Sequence, residues 1–141
     1  RHPVAWSEDG KTGYGFGSEK TWLPLNSRAK EINLERDKKS EKSVIGFYKK
    51  LLAYRKSSEV IRRGDFKELS ADGEGNKGRF VFERSLGEKK VVVAVNFDRE
   101  QTIELPVNEE EYKFIMSNNP VYKPFNKQFS AFDVAVYEKT K

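Results

Sequence analysis

The sequence contains no cysteine and a single histidine, His2. The first absence excludes disulfides and thiolate metal sites, and it suits a reducing compartment. The second leaves too few nitrogen ligands for a zinc centre. It also removes the usual base for an activated serine, because His2 stands beside Pro3 at the very start of the chain rather than within a packed frame. No apolar run approaches the roughly 20 residues of a membrane-spanning helix. The opening residues RHPVAW carry neither an initiator methionine nor a basic-then-apolar leader. The glycines of GYGFG lack the spacing of a dinucleotide fingerprint. No cofactor, metal site or membrane partner is expected.

What is present points to a folded domain with a wet surface. The 141 residues are enough for one domain, or for a small domain with an appendage. Aromatic residues make up 13% of the chain, which argues against disorder, while 35% charged residues demand a large solvated surface. The net charge of +5 raises the question of nucleic acid. Lysine and arginine outnumber acids fourteen to eight up to Arg62, then fall behind thirteen to fourteen. The cations are interleaved with acids, as in Glu35-Arg36-Asp37-Lys38-Lys39. A phosphate-binding face needs cations without competing anions, so a solvated face is the reading and no nucleic-acid partner is expected.

Three regions differ in texture. Residues 1–39 carry turn formers and little periodicity, including EDGKTGYGFGSEK and TWLPLN. Loops of this length inside a compact domain are functional or belong to something larger. Tyr14, Phe16 and Trp22 need a surface to lie on, and none is evident nearby in the sequence. Over residues 40–57 the spacing predicts a helix, with Val44, Phe47, Tyr48, Leu51 and Leu52 on one face and Ser40 as its N-cap. Gly46 would mark a close approach to a neighbour. From Gly64 onward short strands alternate with turns: GDFKELS, a flexible ADGEGNKG, then GRFVFERSL and KKVVVAVNF joined as a hairpin through LGEKK. KKVVVAVNF is apolar on both faces, as a central strand would be. QTIELP, EYKFIMSN and AFDVAVYEK complete an antiparallel sandwich.

Catalytic candidates are scarce. Most acids lie in hydrophilic stretches such as Glu8-Asp9 and Glu109-Glu110-Glu111. Asp133 is flanked by Phe132 and Val134, and alternation turns it outward to solvent. No acid has the apolar setting that raises a catalytic carboxyl. Trp6, Tyr14, Phe16, Trp22, Tyr122 and Phe125 could stack on sugar rings, although packing is the ordinary role of such side chains.

The order of the pieces resembles the C-terminal third of bacterial α-glucosidases of glycoside hydrolase family 13, in the oligo-1,6-glucosidase, dextran glucosidase and trehalose-6-phosphate hydrolase group. Arg1, Pro3 and Trp6 match the family's Arg-Thr-Pro-Met-Gln-Trp, while His2, Val4 and Ala5 depart from it. Trp22, Leu23, Pro24 and Asn26 match a Trp-Leu/Ile-Pro-Val-Asn stretch, and Lys30, Glu31, Ile32 and Asn33 match Lys-Glu-Ile-Asn. Ser43, Val44, Phe47, Tyr48, Lys50, Leu51 and Arg55 fit the Ser-Val-x-x-Phe-Tyr-x-Lys-Leu-x-x-x-Arg pattern.

The resemblance implies a mainly β fold: an antiparallel β-sandwich preceded by one long helix and an extended loop segment from the end of a (β/α)8 barrel. Residues 1–62 would be the tail of the catalytic barrel, with the loop segment at 1–39 and the last barrel helix at about 40–57. Residues 63–141 would be the C-terminal all-β domain. The family's nucleophilic Asp, its Glu acid/base and its third Asp lie upstream of the matched region, so no catalytic residue is expected in this chain. Arg1, beside the substrate cleft in such relatives, is the one substrate-binding candidate. The implied partners are the missing catalytic barrel and, through it, an oligosaccharide; the implied location is cytoplasmic. Self-association of the fragment is another way to cover the apolar helix face. A carbohydrate-binding sandwich is the alternative reading, and a basic nucleic-acid binder is a third.

Overall fold

The computed structural model describes residues 2–17, 20–70 and 78–140. The ADGEGNKG turn falls almost wholly outside them. The chain divides into two compact units, Arg1–Lys49 and Lys50–Lys141. The division falls inside the long helix.

The first unit is built from turns. A short 3-10 turn, Gly10–Thr12, is capped by Asp9, whose side chain accepts from the Lys11 N–H. The backbone then doubles back, so that the N–H groups of Trp6 and Ser7 both donate to the Tyr14 carbonyl at 2.8 and 3.2 Å. Gly15 makes this possible: its φ is +100°, and a Cβ there would meet the Trp6 Cβ at 2.8 Å. Residues 1–39 also hold a helix that periodicity does not announce, α1, Leu34–Lys39. Asn33 caps it by accepting from the Arg36 N–H, and acids in its first turn and cations in its last suit the helix dipole.

The long helix, α2, runs Val44–Ser57. It starts four residues later than expected. Ser40 closes α1, its N–H donating to the Asp37 carbonyl, and so is not the cap of α2. That role falls to Ser43, whose Oγ accepts from the Gly46 N–H at 2.8 Å. The neighbour that Gly46 approaches is this same Ser43, which a Cβ would meet at 3.1 Å. Asp37 takes the next two free donors, the N–H groups of Val44 and Ile45, at 2.8 and 3.0 Å. No residue of α2 is fully buried. Val44, Tyr48 and Leu52 are 62%, 58% and 58% exposed while Phe47 and Leu51 are half-buried, so the apolar stripe that periodicity marks as a buried face is only partly covered.

The second unit is a sheet with a helical cover. After α2 a short helix, α3, Glu59–Arg63, is capped by Ser58. The strands are β1 (Asp65–Glu68), β2 (Arg79–Leu86), β3 (Lys89–Asn96), β4 (Gln101–Thr102), β5 (Tyr112–Ser117), β6 (Gln128–Phe129) and β7 (Val134–Lys139). Five of them form an antiparallel sheet in the order β1-β2-β3-β7-β5, and β4 pairs with β6 in a separate ribbon. The valine-rich character of β3 is explained by its central place, with β2 on one side and β7 on the other. β2 and β3 form the expected hairpin, reversing through Gly87 and Glu88. β6 and α3 had no counterpart among the expected elements, and QTIELP contributes only a two-residue strand.

Both faces of the sheet are apolar. On one, Val81, Val92, Ala94, Ala135 and Tyr137 pack with Ile103, Tyr112 and Phe129, which the β4–β6 ribbon and β5 bring in. On the other, Val91 and Val136 pack with Val60 of α3, flanked by Tyr54 and Ile61. Tyr54 ties the end of α2 to β7, donating its hydroxyl to Glu138 Oε2 at 2.8 Å. Gly64 lets α3 pass close to β2, since a Cβ there would meet the carbonyl oxygens of Val60 and Ser85 at 2.5 and 2.7 Å.

Asp133 corrects the sequence reading. It is 5% exposed, not solvent-facing. The strand begins at Val134, so alternation does not reach back to residue 133. Phe132 takes a φ of +64° and turns outward, while the Asp133 carboxylate accepts from the Ser130 N–H at 2.8 Å and from Asn119 Nδ2 at 3.1 Å. Asn96, fully buried, completes this end of the sheet by donating to the carbonyls of Arg99, Phe129 and Ser130.

Candidate functional site

Arg1, the substrate-binding candidate, lies outside the described residues. Its neighbour His2 is held by structure rather than poised for chemistry: Nδ1 donates to the Pro24 carbonyl at 2.7 Å. Beside it opens a cleft of about 420 Å³, lined by Val4, Ile32, Leu34, Val44 and Ile45 with Asn26 and Asp37 at its polar edge. A second hollow of about 350 Å³ lies among Pro3, Phe16, Thr21, Trp22 and Leu23. Trp22 is 95% exposed, and Trp6 and Phe16 are about half exposed, at 52% and 46%. Tyr14 is half-buried against Gly10 and Trp6 lies close over Gly15, while Trp22 stands almost wholly in solvent.

Carboxylates do meet in the first unit, and their electrostatics are those of caps and ion pairs. Glu8 and Glu35 share Lys39, whose Nζ lies 3.3 and 3.1 Å from their oxygens, and Arg36 Nε lies 3.2 Å from Glu8. The Glu8 N–H donates to Glu35, and this bond, followed by Lys39, holds the Glu35 carboxyl below the usual carboxylate range. Asp37 is held below its usual range too, first by the Val44 N–H, then by the Ser43 hydroxyl and the Ile45 N–H. A glycosidic acid needs the opposite, an apolar setting that keeps its proton at neutral pH. Glu35 and Asp37 stay ionised and hold helix ends in place. Among the described residues no three His, Asp or Glu side chains gather as metal ligands would.

The second unit offers a buried network instead of a reactive one. The Tyr122 and Tyr137 hydroxyls are 2.7 Å apart, and Tyr137 also accepts from the Phe125 N–H. Burial pushes both phenols above their ordinary range, so both stay neutral and neither serves as a base. Tyr122 and Phe125 pack against the core around Tyr137, at ring separations of 5.2 Å for Tyr122–Phe129 and Phe125–Tyr137. These two candidates for sugar stacking are therefore structural.

Residues 1–64 match the family model for the alpha amylase catalytic domain. Over 124 residues, 86% of this chain and 21% of the relative, the sequence is 30% identical to oligo-1,6-glucosidase of Bacillus cereus. The chain belongs to the alpha-amylase family. Glucan 1,6-alpha-glucosidase of Streptococcus dysgalactiae subsp. equisimilis is 32% identical over 102 residues, covering 72% of this chain and 18% of that enzyme. Among solved structures, trehalose-6-phosphate hydrolase of Bacillus licheniformis superposes with a TM-score of 0.78 at 27% identity, over 99% of this chain and 25% of its own. The chain thus spans about a fifth to a quarter of the length of these alpha-amylase family relatives. The catalytic-domain match takes in α1, α2 and α3 and ends one residue before β1. The partly exposed stripe of α2 therefore lies within a catalytic-domain sequence. Among the described residues no helix is long and apolar enough to cross a membrane.

Proposed function

We propose that this chain is the C-terminal part of an α-glucosidase that hydrolyses α-glucosidic bonds of short oligosaccharides with retention, and that its own role is to complete and steady the catalytic barrel. Residues 1–62 end that barrel and residues 63–141 form its C-terminal β-sandwich, the β4–β6 ribbon serving as the start of the second layer. The reaction runs through a glycosyl-enzyme intermediate between two carboxylates about 5–5.5 Å apart, supplied by polypeptide outside these residues. Arg1 contributes at the edge of the substrate cleft. The enzyme works in the cytoplasm, where a cysteine-free chain loses nothing to the reducing conditions.

The observation that carries this reading is the exposure of Val44, Tyr48 and Leu52 on a helix whose sequence matches a catalytic domain. A stripe of that kind on a fourteen-residue helix is built to be covered. The test is a single-chain chimera in which residues 1–141 replace the matching segment of the Bacillus cereus oligo-1,6-glucosidase. The chimera is expected to release glucose from isomaltose, and residues 1–141 alone to release none. Steady turnover by the isolated chain, or a chimera that folds without activity, would defeat the proposal.

A further inference from the structure

Three apolar side chains stand in solvent at one end of the sheet. Along β3-β7-β5 neighbouring strands run antiparallel, so the end of β3, the start of β7 and the end of β5 lie side by side. Phe97 follows β3, Phe132 comes just before β7, and Val121 lies in the turn after β5. Phe97 and Phe132 are 59% and 67% exposed, and Val121 is open as well. The two rings start from adjoining backbone, since the Asn96 N–H donates to the Asp133 carbonyl at 2.9 Å, one residue in from each. Phe132 is also held against its own preference. Its φ of +64° is a left-handed conformation that a bulky side chain rarely takes. A frame of hydrogen bonds imposes it: Asn118 Nδ2 donates to the Phe132 carbonyl at 2.9 Å, Asn118 Oδ1 accepts from the Val134 N–H at 2.7 Å, and Ser130 and Asn119 fix Asp133. Glycine or asparagine would fit that backbone with less strain. The ring belongs to neither apolar cluster of the sheet. Strain maintained without a return in packing is characteristic of sites that meet a ligand.

Position and area select the occupant. The catalytic-domain match leads into the sheet at its other end: β1 starts at Asp65, opposite Ser85, which is opposite Lys90. From Lys90 to Phe97 the strand runs about 23 Å, so the segment that joins the two does not lie over the patch. The three side chains offer about 300 Å², well short of the roughly 800 Å² per partner of a stable protein interface. A sugar needs no more than this. The apolar C–H face of a glucose ring rests on the face of an aromatic ring, and its hydroxyls take bonds from groups at the edge. Asn118 Nδ2, exposed beside Phe132, keeps a second N–H for such a hydroxyl. We propose that Phe132 and Phe97 form a binding site for an α-linked glucose oligosaccharide, one ring stacked on Phe132, the chain continuing past Phe97, and a hydroxyl accepting from Asn118 Nδ2. The choice of an α-glucoside rests on the parentage proposed above.

The test is a titration of the 141-residue chain with isomaltotriose, followed by amide NMR shifts. Saturable shifts are expected at Phe97, Phe132 and the Asn118 side-chain amide. Phe132→Gly removes the ring and suits the left-handed backbone, so it should keep or raise the unfolding temperature and lose the shifts at Phe97 and Asn118. Phe132→Asn should do the same, and Phe97→Ser should weaken binding severalfold. Trp22→Ala, which removes an exposed ring of the first unit, should change nothing. Shifts that survive Phe132→Gly, or that vanish with Trp22→Ala, would overturn the site. Self-association in sedimentation velocity that Phe132→Gly abolishes would overturn it in favour of a second copy. No saturable shift, beside an active chimera in the experiment above, overturns this inference and leaves the parentage standing. A chimera that folds without activity strikes the parentage, and the α-glucoside site falls with it.

Discussion

The two compact units of this chain are stabilised by different physics. Residues 1–49 bury little more than Ala5, Ala29 and Asn33, and leave Trp6, Phe16, Trp22 and Val44 in solvent. Their order comes from caps, turns and ion pairs: Asp9, Asn33, Asp37, Ser43, and the Glu8–Lys39–Glu35 group. Residues 50–141 bury Tyr137, Phe129, Ile103, Val91, Val92 and Val136 almost completely. The contrast separates a unit that carries its own core from one that leaves much of its apolar surface in solvent.

The comparison can be broken most forcefully in the sheet. Tyr137→Ala removes a buried ring at the centre of the core together with its hydroxyl bonds to Tyr122 and Phe125. It should cost about 3–5 kcal/mol in urea unfolding followed by tyrosine fluorescence, enough to unfold a marginal domain. A loss below about 1 kcal/mol would mean the core around Tyr137 is loosely packed.

The next test falls on the first unit and on charge. Glu35 and Asp37 titrate below their ordinary values of 4.5 and 3.8. A carboxyl depressed in the folded state stabilises fully above its unfolded pKa and loses that stabilisation as pH falls through the folded value. The helical circular-dichroism band should therefore weaken on the acid side, beginning below 4.5. Added salt should blunt the change, because both groups are open to solvent. Asp37→Asn should flatten that acid limb, and an unchanged limb would remove Asp37 from its role at the start of α2.

The smallest effect is expected where sequence alone would place a large one. Trp22→Ala deletes the bulkiest side chain of the first unit, yet it should shift stability by no more than about 0.5 kcal/mol in thermal unfolding of the isolated chain, because that ring touches almost nothing. In the chimera the same substitution should be distinctly costly, which sharpens the division between the units.

Much of the sheet was legible because its signal is periodic. Valine on both faces marked β3 as central, and Phe80 and Phe82 alternating with Val81 marked β2. The stripe along α2 was legible as well, although periodicity says which face is apolar and not what covers it. The short elements were missed where the signal is local. α1 was announced only by Asn33 before Leu34-Glu35-Arg36, a cap followed by an acid. Two serines three residues apart compete for the start of α2, and the choice of Ser43 over Ser40 is made by Asp37, a residue too distant in sequence to weigh without coordinates. Asp133 was misjudged because alternation was run past the end of its strand. The exposed pair of Phe97 and Phe132 was not legible, since it needs the register of β7 on β3 and the left-handed turn at Phe132.

The strand order β1-β2-β3-β7-β5 has a consequence for synthesis. β7, which follows the other strands of the sheet in the chain, is inserted between β3 and β5, so each of those remains an open edge until residues 134–139 have emerged. The domain cannot be assembled progressively during translation. A nascent chain that has not yet made residues 134–139 leaves the valine-rich edge of β3 and the edge of β5 unpaired, edges of the kind that aggregate.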